Sequence, residues 1–179
     1  MRVLLIVFIA ALTSGASAQC PKNPEISQEL EQAYRTLKFA KFPRDAQAAT
    51  GVLWRLWTRA PDDRAQRMLN RGMMNLRLGD LAAAEGLLTA LIEYCPNYAE
   101  GYNQRAFALY LAGNFQGALP DLVHTLSIQP RHLGALSGKG LTHLALGQSE
   151  LAAIEFRKEL ALNPFAADRD LILNLGTDL

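Results

Sequence analysis

The chain has 179 residues, 18 basic against 17 acidic side chains, 50% apolar residues and two cysteines. That length suits one domain or two small ones, and the apolar content predicts a packed, soluble core. A formal charge of +1 leaves no case for a nucleic-acid-coating protein, and the composition leaves none for disorder.

Arg2 is the sole charge before an apolar run over residues 3–12, which is followed by small residues ending in Ala16, Ser17 and Ala18. This is the layout of a secretory signal. The run would rise about 15 Å as a helix, half of the roughly 30 Å hydrocarbon core, so residues 1–18 are expected to be a cleaved leader rather than an anchor. Cleavage is expected between Ala18 and Gln19, leaving an exported, periplasmic chain without a transmembrane segment. Lipidation at Cys20 is disfavoured, because Gln19 stands where a lipobox has a small residue. Residues 19–24 read as a mobile lead.

Residues 26–41 carry Leu30, Ala33, Tyr34, Leu37 and Ala40 at helical spacing, and a second helix fits residues 45–59. Pro43 divides the two helices and Pro61 ends the second. Residues 25–61 therefore read as a helix pair that caps the remaining helices. Trp54 and Trp57, three apart on one face, are expected to pack against the next helices; an exposed aromatic docking patch is the alternative.

The rest of the chain repeats. Pro96, Pro130 and Pro164 stand 34 residues apart, as do Gly79, Gly113 and Gly147, then Gly72, Ala106 and Gly140, then Ala84, Ala118 and Ala152. The columns describe a helix, a tight turn and a second helix. Gly72, Ala106 and Gly140 are expected to let the first helix meet Ala84, Ala118 and Ala152 of the second. The turn glycines suit a positive φ, Asp80 and Asn114 suit helix caps, and each proline ends a repeat. Pro120 is expected in the first turn of its helix. After Pro164, residues 168–175 form one more amphipathic stretch ending at Gly176, expected to cover the last repeat.

With large apolar residues at Met68, Tyr102 and Leu136 ahead of these columns, residues 65–166 resemble the tetratricopeptide repeat (TPR) family. Residues 98–106 and 130–138 further resemble small exported TPR proteins of alphaproteobacteria, a group without an assigned activity. The resemblance implies an all-α fold: a right-handed α-solenoid of antiparallel helix pairs. Its units would be repeats over 62–98, 99–132 and 133–166, with the pair 25–61 and the segment 167–179 as caps. It also implies a concave groove for a protein or peptide, lined by Leu69, Met73, Leu76, Asn103, Phe107, Tyr110, Ser137, Leu141 and Leu144. That set is largely apolar and lacks the basic cluster that would clamp a terminal carboxylate.

Little else in the sequence carries chemistry. His124, His132 and His143 have no ligand spacing between them, glycines do not cluster into a phosphate loop, and Asp62 with Asp63 reads as a helix cap. No metal, cofactor or catalytic activity is expected. Arg71, Arg105 and Lys139 form a basic column, and Asp121 and Glu155 stand sixteen residues after the latter two. This predicts the pairs Arg105 with Asp121 and Lys139 with Glu155, leaving Arg71 free to meet an anion. Cys20 and Cys95 are expected at one edge of the solenoid, close enough to form a disulfide; a buried Cys95 with a free or intermolecular Cys20 is the alternative.

Beyond the leader, residues up to Arg77 hold 11 basic and 6 acidic side chains, and those after it hold 6 and 11. In a solenoid this would set a basic end against an acidic one. The expected function is that of a non-enzymatic periplasmic adaptor holding a peptide or helix in its groove, with the basic half able to meet an anionic envelope surface. The alternative is a structural element that self-associates end to end through its oppositely charged ends.

Overall fold

The structure, a computed structural model, describes residues 19–174. The expected leader, Ala18 and the tail with Gly176 lie outside these residues. The helices are α1 (Ser27–Lys38), α2 (Pro43–Trp57), α3 (Asp63–Leu78), α4 (Leu81–Tyr94), α5 (Ala99–Leu111), α6 (Phe115–Ile128), α7 (Leu133–Ala145), α8 (Ser149–Leu162) and α9 (Arg169–Asn174). No strand occurs among the described residues. The fold is an all-α solenoid: α3 packs on α4, α5 on α6 and α7 on α8, and α4 meets α5 as α6 meets α7.

The glycine column ends the first helix of each repeat. Gly79 and Gly113 take φ of 77° and Gly147 takes 72°, left-handed values that cost a side chain energy and glycine almost none. After Gly79 the chain folds back, with the Asp80 N–H donating to the Asn75 carbonyl at 3.0 Å, which satisfies a helix-end acceptor. Asp80 and Asn114 then cap the second helices, accepting from the N–H of Ala83 at 3.1 Å and of Gly117 at 3.0 Å. Asp62 caps α3 in the same way, accepting from Ala65 N–H at 2.8 Å.

Two local expectations need correcting. Pro120 is the sixth residue of α6 and lies inside it, not in its first turn. The helix tolerates it because Pro120 and Gln116 are both exposed, so the Gln116 carbonyl that loses its donor can meet water. Nor do the small residues of the first helices simply face Ala84 and Ala152. A Cβ on Gly72 would lie 2.8 Å from Leu88, and one on Gly140 would strike the Phe156 ring. Each glycine is the socket for a large side chain one turn further along the partner helix.

The N-terminal pair sits elsewhere than on the first repeat. Tyr34, Leu37, Leu53, Leu56 and Trp57 share a core with Leu133, Leu162 and Phe165, and α1 packs against α8. The pair therefore lies across the turns between repeats. Each turn supplies a docking point: Asn23 donates to the Asn97 carbonyl at 2.7 Å, and the Tyr98 hydroxyl donates to the Trp57 carbonyl at 2.9 Å. Arg131 pairs with Glu31 at 2.9 Å while its carbonyl accepts from Tyr34 at 2.5 Å, and Phe165 fills the shared core. The lead at 19–24, expected to be mobile, is bonded through Cys20 to Cys95 and through Asn23 to the first turn.

This placement removes the expected charge polarity, because the basic N-terminal pair lies beside the third repeat. Sequence order equals spatial order from α3 to α8 and fails for α1 and α2. At the far flank Leu171 of α9 packs against Ala152 and Phe156, covering part of the last repeat.

The Gly140 socket gives a direct check on repeat packing. Gly140→Ala should destabilise the chain by about 1–3 kcal/mol, the usual cost of overpacking, read as a lowered urea midpoint. An unchanged midpoint would mean that Phe156 does not seat there.

Candidate functional site

The first helices of the three repeats line an open groove of about 680 Å³. Met73, Leu76 and Arg77 come from α3, Asn103, Gln104, Phe107 and Tyr110 from α5, and Ser137, Leu141 and Thr142 from α7. Trp54 of α2 completes the wall. Arg77 is the one charged side chain in this lining. Seven of the nine sequence-derived groove residues meet here: Met73, Leu76, Asn103, Phe107, Tyr110, Ser137 and Leu141.

The other two do not. Leu69 is wholly buried in the core between α3 and α4, and Leu144 packs toward Ala152 and Phe156. Both lie on helix faces turned to the partner helix, so the family position does not carry over. The tryptophans separate as well. Trp57 is 4% exposed and belongs to the core, whereas Trp54 is 38% exposed and faces the groove. Trp57 stacks on His132 in the core shared with Leu133, and Trp54 reaches the groove beside Met73 and Leu76 of the first repeat.

Beneath the groove lies a cluster that residue spacing did not reveal. The Glu100 carboxylate is buried and accepts from Gln104 Nε2 at 2.6 Å and Asn103 Nδ2 at 3.2 Å, and it meets His132 Nε2 at 2.9 Å. His132 also caps α7, its Nδ1 accepting from Ala135 N–H at 3.2 Å. That acceptor role assigns the ring proton to Nε2, which donates to Glu100. The imidazole then stacks on Trp57 with ring centroids 4.0 Å apart. Each amide gives one N–H to Glu100, and its carbonyl oxygen stays out of that cluster, able to accept from a ligand's N–H.

Arg105 and Asp121 form a two-pronged pair, with both bonds at 2.7 Å, and Arg105 also donates to Thr89 at 3.2 Å. The Asp121 carboxylate raises the Arg105 guanidinium above its ordinary value. Lys139 meets Glu155 at 3.0 Å, as does Lys158. Burial pushes Glu155 up, but the two ammonium groups outweigh it and hold the carboxyl below its usual range. The Arg105–Asp121 and Lys139–Glu155 pairs join the two helices of a repeat, Lys158 meets Glu155 within α8, and all of them lie outside the groove lining. Arg71 is exposed and also lies outside the lining.

His143 bonds to Gln148 at 2.7 Å, and His124 packs on Tyr102. Among the described residues no three His, Cys, Asp or Glu side chains converge as metal ligands. No helix there is long and apolar enough to cross a membrane.

One acidic site touches the groove. Ser137 donates to Asp168, and Glu159 lies close by with Oε2 buried and unpartnered. Burial, with Asp168 beside it, pushes the Glu159 carboxyl up to about 8.

No family model matches the chain. It is 28% identical over 142 residues to a TPR repeat-containing protein of Rhizobium etli, covering 79% of this chain and 69% of that one. It is 33% identical over 109 residues to tetratricopeptide repeat protein 36 of Danio rerio, spanning 58% of each. Among solved structures, the first TPR of Spaghetti (RPAP3) bound to the HSP90 peptide SRMEEVD superposes with a TM-score of 0.61 at 20% identity. That match covers 64% of this chain and 92% of the other.

The Glu159 site yields a pH dependence of definite sign. Its folded value lies above the ordinary 4.5, so the native state keeps a proton that the unfolded chain releases. Its stabilising contribution is full below about pH 4.5 and declines as pH rises toward 8. Relative to the wild type, Glu159→Gln should therefore gain stability steadily between pH 5 and pH 8 in urea titrations. A constant difference across that window would contradict the assignment.

Proposed function

Because this chain is a tetratricopeptide-repeat protein, we propose that it is a non-enzymatic adaptor that holds a peptide or helix in its concave groove. The observation that carries this reading is the lining: Trp54, Met73, Leu76, Phe107, Tyr110 and Leu141 form apolar walls around the amides of Asn103 and Gln104. Aromatic and aliphatic walls desolvate a ligand's side chains, and amide oxygens at the base can accept from its backbone. A structural neighbour supports the mode of action, being a TPR domain bound to a peptide.

The ligand class differs from that neighbour's. The peptide SRMEEVD carries three acidic side chains, whereas Arg77 is the one cation in this lining. An acidic segment would leave its charges unpaired, so the groove suits an apolar or amphipathic segment. End-to-end self-assembly through charged ends loses its support, since the basic pair lies beside the third repeat.

The setting we propose is the periplasm. The secretory layout of residues 1–18 supports it, and so does the Cys20–Cys95 disulfide, a bond that persists in oxidising compartments. Intact mass of the protein recovered from cells should show a chain that starts at Gln19 with its two cysteines joined; a chain retaining residues 1–18 would contradict export by cleavage.

Selection from a random peptide library tests the groove. The recovered peptides should be apolar, and Phe107→Ala should weaken them by about tenfold or more, as loss of an aromatic anchor does. Phe107 is 49% exposed, so its replacement should leave the melting temperature nearly unchanged. Recovery of acidic peptides, or affinity indifferent to Phe107→Ala, would contradict the reading.

A further inference from the structure

The turn joining α1 to α2 carries side chains that neither the core nor the groove uses. Phe39 is 75% exposed and Phe42 is 54% exposed. Lys38, Lys41 and Arg44 alternate with them and are exposed as well. From Arg35 to Arg44 there are four basic residues and no acidic one. The next residue, Asp45, lies 3.6 Å from Arg44.

The exposure of these rings does not come from a loose loop. Phe39 N–H donates to the Arg35 carbonyl and Ala40 N–H to that of Leu37, both at 3.2 Å. The N–H groups of Asp45 and Ala46 close on the Phe42 carbonyl at 3.0 Å and 3.2 Å. Ala40 packs on the shared core below. The backbone is thus held at both ends of the turn while two aromatic rings face outward. Of residues 38–44 all but Ala40 are exposed, so the tip is convex.

A convex tip encloses nothing itself and is enclosed by what it enters. Aromatic rings interleaved with ammonium and guanidinium groups match the interface of an anionic bilayer, where the rings reach the acyl boundary and the cations stay among phosphates. Charge complementarity selects that surface over a neutral one, and exposed phenylalanines without a pocket select it over a soluble anion. We propose that the α1–α2 turn docks the protein on an anionic lipid surface through Phe39 and Phe42, with Lys38, Lys41 and Arg44 meeting the headgroups. This surface is independent of the groove and of what the groove holds.

Sedimentation of the disulfide-bonded chain, residues 19–179, with vesicles tests the assignment. The protein should pellet with vesicles of mixed phosphatidylcholine and phosphatidylglycerol and stay in solution with phosphatidylcholine alone. Phe39→Ser with Phe42→Ser, and separately Lys38→Ala with Lys41→Ala, should each weaken anionic-vesicle binding about tenfold, with unchanged circular dichroism. A Phe39→Trp variant should be quenched by brominated acyl chains in anionic vesicles more strongly than the wild type. Failure to bind anionic vesicles, equal binding to both compositions, or binding that survives loss of both phenylalanines would overturn the proposal. Binding to heparin or single-stranded DNA with this residue dependence, but not to vesicles, would overturn it as well.

Discussion

A carboxylate sealed from water must be supplied with donors, and Glu100 draws three of them from one helix and a turn. Gln104 and Asn103 come from its own helix, and His132 from the cap of α7. His132 passes the constraint on, because its other nitrogen caps α7 and its ring face lies against Trp57. One buried charge thereby joins the second repeat, the third repeat and the N-terminal pair. The same demand orients the amides of Asn103 and Gln104 at the groove and places α2 so that Trp54 becomes part of the wall. Leaving any one of these donors or acceptors unpaired would cost on the order of 1–3 kcal/mol, so the arrangement resists piecemeal change.

The repeat columns encode stacking, and that layer of the fold is legible in the sequence. Glycine at 79, 113 and 147 reads as positive φ, and the structure has it there. Docking of the N-terminal pair is written in the columns that do not repeat. Asn97, Arg131 and Phe165 occupy one column, and Tyr98 and His132 share the next; the side chains or backbones of these five meet the N-terminal segment. Self-alignment discards such columns because their members differ, yet they differ because each meets a different part of α1, α2 or the lead. The Glu100 cluster is hidden for that reason: its counterpart in the next repeat is Gly134.

The groove is partly legible for a related cause. Positions inherited from a family locate a helix face to within one residue or so, and Leu69 and Leu144 fall just past the edge into the cores behind them. Trp54 cannot be inferred from repeat register, since it lies outside the repeats and reaches the groove by tertiary packing. The charge pattern misleads as long as chain order is taken for spatial order. Once α1 packs on α8, the basic residues of the N-terminal pair lie beside the third repeat, whose three basic and three acidic side chains balance, and no longer mark one end of the stack. The isolated basic feature that remains is local, at the α1–α2 turn.

The position of the N-terminal pair decides both the groove wall and the charge distribution, and solution NMR measures it directly. Ring protons of Trp57 should show nuclear Overhauser contacts to the His132 imidazole, whose centroid is 4.0 Å away, and Tyr34 should show them to Arg131 and Leu133. Absence of these contacts, with contacts from Trp57 to α3 in their place, would contradict that position.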